Sequence, residues 1–330
     1  MNNRSMSWRR NVLRAAAGLL LASGASTAWA QAWPAKPISI LVGLQAGTGS
    51  DVAVRTMAER LGNALKQPIA VENLPGASGL LAAQRGAKAA PDGYSLVVLS
   101  SATVTSMPSL TPNVGFDPLK DLVPIAMVAT IPSVFFVRSD FPAKTLPELV
   151  AIAKAKPGSL TYASGGNGSV QHVGMEVFKA QSGIDMVHVP YKGSVQATLD
   201  IAGGRVDGGL QGLSTVLPFL KDNRVRVLAA TSEARTPLLP DTPTVKELGL
   251  GNFVYEPWTA LFAPAGTPKA VVDQLNAAVR QISADAAYKA KYESMGLGTA
   301  DLAPDTLARM VQVENAGNAK IIRERNIRAD

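Results

Sequence analysis

The run Ile38-Ser39-Ile40-Leu41-Val42, followed by Gln45-Ala46-Gly47-Thr48-Gly49-Ser50-Asp51, decides how this 330-residue chain reads. Four apolar residues in a run of five have the length and composition of a strand buried on both faces. Val54, Met57, Ala58, Leu61 and Leu65 then fall at i, i+3, i+4, i+7 and i+11, the single apolar stripe of a helix, with Ser50 or Asp51 placed to cap its first turn. Strand, glycine loop and helix together form the repeating unit of α/β proteins. Further apolar runs at 69–71, 96–99, 134–137, 186–189 and 225–230 alternate with helical patterns, which predicts one or two mainly parallel sheets.

A second such unit lies at 160–181. Tyr162-Ala163-Ser164 leads into Gly165-Gly166-Asn167-Gly168-Ser169, and Val170, Val173, Gly174, Val177 and Phe178 repeat at helical spacing. The two glycine loops are too far apart for one βαβ unit and are assigned to different domains. The first junction is expected near 134–138 and the return near 254–262. Beyond it, Thr267-Pro268 reads as a cap with proline at the first helical position, ahead of an apolar stripe at Val271, Val272, Leu275, Val279 and Ile282.

Composition removes several classes of function. Hydrophobic residues make up 47% and charged residues 17%, as in an ordinary globular protein. There is no cysteine, which excludes disulfides, thiolate metal sites and cysteine nucleophiles, and two histidines, His172 and His188, leave little for an imidazole-rich site. No metal or cofactor is expected. Thirty-two basic against 25 acidic residues give +7, but Arg4, Arg9, Arg10 and Arg14 stand in a 30-residue start that holds no acid, so 28 against 25 leaves +3 for the remainder. That is weak ground for a nucleic-acid partner. The same thirty residues have a basic start, an apolar stretch at 15–22 and Ala28-Trp29-Ala30, the three parts of an export signal cleaved after Ala30. The stretch is far short of the roughly 18 to 20 residues that span a bilayer, so a periplasmic protein without an anchor is expected. Ser7-Trp8-Arg9-Arg10 carries an arginine pair and leaves the export route open between general and twin-arginine secretion.

Neither glycine loop satisfies a nucleotide motif. Val52 and Gln171 stand where G-x-G-x-x-G needs its third glycine, and no Gly-Lys-Ser/Thr follows either loop. Gly76-Ala77-Ser78-Gly79 lacks the spacing of a nucleophile elbow. What the loops do have is free backbone N–H groups at a helix start, reinforced by Thr48, Ser50, Ser164, Asn167 and Ser169, a combination that attracts an anion. With no lysine or arginine in either loop, dipoles and hydrogen bonds would hold it, which suits a reversibly bound carboxylate. Taken singly, such a loop reads equally well as a tight connection.

Longer strings carry a resemblance. Val71-Glu72-Asn73-Leu74-Pro75-Gly76-Ala77-Ser78-Gly79, Pro91-Asp92-Gly93-Tyr94, the segment 163–172, His188-Val189-Pro190-Tyr191-Lys192-Gly193, Leu239-Pro240-Asp241-Thr242-Pro243-Thr244 and Ala263-Pro264-Ala265-Gly266-Thr267-Pro268 occur in this order along nearly the whole chain past residue 30. The chain resembles the Bug-type, TctC-like solute-binding proteins of the tripartite tricarboxylate transporter family. The resemblance implies a type II periplasmic-binding-protein fold: two α/β domains, crossover hinge strands and a central cleft closing on a small organic carboxylate. Domain 1 would comprise 31–135 and 255–330, and domain 2 would comprise 136–254. It implies a non-enzymatic receptor, a monomer, delivering its ligand to membrane permease subunits. A receptor for a signalling partner and an exported enzyme using the same cleft stay open as alternatives.

Carried onto this sequence, the resemblance makes Gln45, Ala46, Gly47, Thr48, Gly49, Ser50 and Asp51 ligand-binding, with Ala163, Ser164, Gly165, Asn167, Gly168 and Ser169 facing them, partly through bridging water. Gln211 joins the set. The family usually has proline at the Gly43 position, a glycine pair in place of Gly47-Thr48, and often aspartate at the Gln211 position. A neutral amide there offers no charge to an amine, so a ligand without an amino group is expected. His172 reads as a hydrogen-bonding support of its loop, Asp51 as a helix cap and Trp258 as part of the returning crossover; Tyr191 and Lys192 are placed to line the cleft, although a lysine beside a glycine turn is usually solvated.

Overall fold

The computed structural model describes residues 33–111, 114–324 and 327–328, and the expected export signal lies outside them. Lys36–Asp330 forms one compact unit. Its strands are β1 (Ile38–Val42), β2 (Ile69–Asn73), β3 (Ser95–Ser100), β4 (Leu122–Thr130), β5 (Ser133–Arg138), β6 (Thr161–Ser164), β7 (Val187–Pro190), β8 (Gly208–Gly212), β9 (Val225–Ala230) and β10 (Trp258–Pro264). They make two five-stranded sheets, in the orders β2-β1-β3-β10-β4 and β7-β6-β8-β5-β9. The described helices are α1 (Gly49–Leu65), α2 (Leu80–Ala87), α3 (Ser101–Thr105), α4 (Met107–Leu110), α5 (Leu146–Ala155) and α6 (Val170–Ser182). They continue with α7 (Ser194–Ala202), α8 (Leu213–Lys221), α9 (Lys269–Ala284), α10 (Ala286–Ser294) and α11 (Pro304–Glu324). None of them is long and apolar enough to cross a membrane.

The two sheets share one plan. In each, one strand runs against its neighbours: β10 is antiparallel to β3 and β4, and β5 is antiparallel to β8 and β9. These two are the strands that first enter a sheet after the chain has crossed from the other. β4 ends at Thr130 and β5 starts at Ser133, so the crossing takes two residues, and Ile131 N donates to Pro257 O at 2.7 Å on the return. A strand that starts at the crossing must run away from it, whereas β1, β3, β6 and β8 run toward it. The carboxyl ends of the parallel strands therefore gather where the sheets meet, which is where open α/β sheets bind ligands.

Side-chain burial explains the elements. β1 is buried at Ile38, Ile40, Leu41 and Val42, with parallel partners on both sides. Val54, Met57, Ala58 and Leu61 of α1 are buried, as are Val271, Val272, Leu275, Val279 and Ile282 of α9. Each of these side chains larger than alanine contributes about 1.5–3 kcal/mol, an upper figure for an extended-chain reference. Phe135, Phe178 and Phe253 form an aromatic nucleus on one face of the second sheet, with Phe135 and Phe178 ring centroids 4.4 Å apart. Val134, Phe136, Ile201 and Val216 fill its other face.

Two helix starts differ from the sequence reading. Thr48, not Ser50 or Asp51, caps α1: its Oγ1 accepts the Asp51 N–H at 3.2 Å. Thr48 wins because the helix begins at Gly49, which leaves Asp51 inside the first turn. At α9 the cap position is Pro268 and the first helical residue Lys269, one later than expected, while Thr267 Oγ1 donates to Pro264 O at 2.8 Å.

Candidate functional site

A cleft of about 330 Å3 opens where the carboxyl ends of the parallel strands meet. From the first sheet's side its wall takes Gly43, Leu44, Gln45, Thr48, Ser50, Ser78, Gly79, Ser100 and Ala102; from the second, Gly165, Ser169, Gln171, Lys192, Gly193, Ser194, Ser214 and Thr215. The crossings supply Ile131, Ser133, Tyr255, Pro257 and Trp258. Hydroxyls and glycines dominate, so the wall presents many hydrogen-bonding groups and little formal charge.

The loop ahead of α1 is held by a carboxylate that does not reach the cleft wall. Asp51, buried to 2% exposure, accepts the Gly47 N–H at 2.9 Å, Asn73 Nδ2 at 2.7 Å and Arg55 Nε at 3.1 Å. Burial opposes its charge, but the hydrogen bonds from Asn73, Gly47 and Arg55 together outweigh it and hold the carboxyl below its usual range. Asn73 also donates to Leu44 O at 3.1 Å, so β2 fixes the same loop from its other side. Thr48 Oγ1 donates to Gln45 O at 3.0 Å, closing the turn.

The loop ahead of α6 rests on two stacked imidazoles. His172 and His188 have ring centroids 3.9 Å apart, and Tyr162 stacks on His188 at 4.9 Å. His172 Nδ1 accepts the Gly168 N–H at 3.1 Å, and His188 Nε2 lies 2.6 Å from Ser164 Oγ, which accepts the Gly166 N–H at 3.1 Å. Burial, the neighbouring His172 and Lys179 push His188 down to about 3, so it stays neutral at physiological pH and has one nitrogen free to accept. The loop-supporting role read for His172 is what the structure shows.

Of the residues expected at the ligand, Gln45, Thr48, Ser50, Gly165 and Ser169 line the cleft together. Asp51 and Ser164 stand behind the wall as braces. Ala46, Gly47, Gly49, Ala163, Asn167 and Gly168 lie off the wall, and Gly168 instead packs under α4 of the other sheet's side. Gln211 is fully buried between Leu210 and Gly212, which both line the cleft, and its amide atoms make no hydrogen bond among the described residues. Lys192 lines the cleft, the first of its two readings, as do Ser78 and Gly79 of the 71–79 string, which the sequence did not assign to the ligand. Ser78 at φ +54° and Gly79 at φ +88° bend the backbone toward Gly43, a turn whose glycine signal was present in the sequence. Among the described residues no group of His, Asp or Glu is placed to hold a metal ion.

Comparison with known proteins adds three findings. The family model described as the tripartite tricarboxylate transporter family receptor, TctC, matches residues 53–327. BugT of Bordetella pertussis is 32% identical over 315 residues, which cover 94% of this chain and 97% of that one. Two solved structures match with sequence identity near 30%: R. palustris Rpa4515 with adipate, TM-score 0.82, 29% identity, covering 90% of this chain and 100% of that one; and MatC from Rhodopseudomonas palustris with bound malate, TM-score 0.78, 31% identity, covering 88% and 100%.

Proposed function

The chain belongs to the TctC family of tripartite tricarboxylate transporter receptors, which bind solutes, and from that membership we propose that it captures a small organic carboxylate and hands it to membrane permease subunits. The observation that carries the reading is the meeting of the two loops: Gln45, Thr48 and Ser50 share one cleft with Gly165 and Ser169. Each loop precedes a helix start, α1 and α6, whose free N–H groups favour negative charge. The solved relatives with adipate and malate support the ligand class.

On this reading the receptor is periplasmic and monomeric, exported through residues 1–30 and cleaved after Ala30. Its lobes are 31–135 with 255–330, and 136–254, a division that the sheet membership of β4, β5 and β10 supports to within a few residues. A ligand touching both lobes favours the shut form by its differential affinity, and the permease reads that form. Asp51 and the His172–His188 pair hold the two loops in place without touching the ligand.

A thermal-shift panel of carboxylates, followed by calorimetry, tests the proposal. A ligand at about 100 times its Kd stabilises the fold by about 2.7 kcal/mol. Failure of every carboxylate to raise the melting temperature, or an equal effect from the matching neutral amides, would overturn it.

A further inference from the structure

The cleft has two chemically unlike ends. At its mouth the lobes come together: a Cβ built on Gly193 would lie 3.4 Å from Gln45 Oε1. Lys192, next to Gly193 in the chain, is the only cationic side chain on the cleft wall among the described residues. It forms no ion pair among them. At the inner end the crossings meet through Ile131 N and Pro257 O, and the floor is Ile131, Leu210, Tyr255, Pro257 and Trp258.

The polar atoms of that floor are already engaged. Trp258 Nε1 donates to both Glu314 oxygens at 3.0 Å, Tyr255 Oη donates to Val170 O at 2.6 Å, and Ser133 Oγ donates to Ile131 O at 3.1 Å. What remains unpartnered is neutral: Thr259 Oγ1, fully buried on the cleft wall, and the buried Gln211 amide between Leu210 and Gly212. Behind the floor stand two carboxyls, Glu314 against Trp258 and Glu256 beside Pro257. Burial, and for Glu256 also the nearby Glu233, pushes both upward; at Glu314 burial outweighs the Trp258 hydrogen bond. Charged or neutral, neither supplies positive potential to the inner end. An anionic group seated there would lose its water with no cation to replace it, only the partial charge of the α8 start at Ser214 and Thr215.

We infer that the cleft selects small monocarboxylates whose far end is uncharged and largely apolar, with Lys192 meeting the carboxylate at the mouth. This deepens the carboxylate-receptor reading and rests on it. Thr259 Oγ1 then serves a single neutral hydroxyl or carbonyl on the ligand, and a second carboxylate is rejected by the floor.

Calorimetry on the purified protein with length-matched probes tests the inference: butyrate against succinate, hexanoate against adipate, benzoate against terephthalate, and hexanamide as the neutral control. The monocarboxylate of at least one pair is expected to bind about tenfold or more tighter than its dicarboxylate, and hexanamide more weakly than hexanoate. Lys192→Met is expected to weaken the bound monocarboxylate about tenfold and to flatten its salt dependence at unchanged melting temperature. Dicarboxylates binding as tightly as their partners, or no monocarboxylate binding at all, would overturn the inference while leaving a carboxylate receptor in place. Hexanamide matching hexanoate would instead remove the carboxylate reading itself. Lys192→Met with unchanged affinity and salt slope would take Lys192 out of the site.

Discussion

Gly168 offers the sharpest test of the idea that the lobes shut against each other. Its φ is +71°, and a Cβ built there would lie 2.4 Å from Leu110 Cδ1 and 3.1 Å from Met107 Sδ. Both neighbours belong to α4 and are buried in the first lobe's core, so neither can swing aside. Gly168→Ala therefore has two effects: left-handed strain of about 1–2 kcal/mol within the second lobe, and a wedge at the lobe contact of about 1–3 kcal/mol. Gly183→Ala separates them, because Gly183 has φ +65° with nothing within 4 Å of its added Cβ. Both variants should lose about the same lobe stability in thermal melts. Only Gly168→Ala should also weaken ligand binding, by roughly fivefold to a hundredfold, because the wedge opposes the closed form. Equal affinities of the two variants in calorimetry would refute the reasoning.

Two titrating groups give further expectations. Asp51 has a depressed carboxyl in the fold, so its stabilisation is complete above the unfolded value of about 4 and is lost as pH falls through the folded one. Asp51→Asn should cost about 1–3 kcal/mol near neutral pH, with the gap to the unmodified protein narrowing in melts taken below about pH 4; a gap that stays constant into acid would contradict this. His188 is also depressed, to about 3, so the unfolded chain takes up its proton first and stability falls as pH drops below about 6.5. His188→Phe keeps an aromatic ring on His172 and should flatten the melting-temperature slope between about pH 6.5 and 4. An unchanged slope would place the acid sensitivity elsewhere.

Much of this was legible from residue patterns. The Ile38–Val42 strand and the stripes of α1, α6 and α9 follow from periodicity, because burying one face needs apolar residues at fixed spacing. β8 was not legible: its sequence, Gly-Gly-Leu-Gln-Gly, has little strand propensity. The reason is spatial. A Cβ on Gly208 would lie 2.6 Å from Phe136 O, and one on Gly209 would lie 3.0 Å from Ala163 O, so the tight fit between β5 and β6 selects glycine over a strand former. β4 hides for a related reason, carrying Pro124 within an edge strand. At the cleft, the loops ahead of α1 and α6 announce themselves through glycines and hydroxyls. Thr259 does not, since its place on the wall depends on which crossings meet, and that is a property of topology.

The paired crossings have a mechanical consequence. Ile131 and Pro257 are bonded to each other, and Thr130 exchanges two backbone hydrogen bonds with Gly298 at 2.9 and 3.0 Å just before the chain leaves the first sheet. Beside that bridge Gly296 comes close to α8, where an added Cβ would lie 2.9 Å from Ser214 N. Two crossings and this contact along one edge favour a turn about that edge over a slide of the sheets. If the proposed closure is such a turn, a ligand a methylene too long would prop the covers of this book ajar at the rim, the part farthest from the spine.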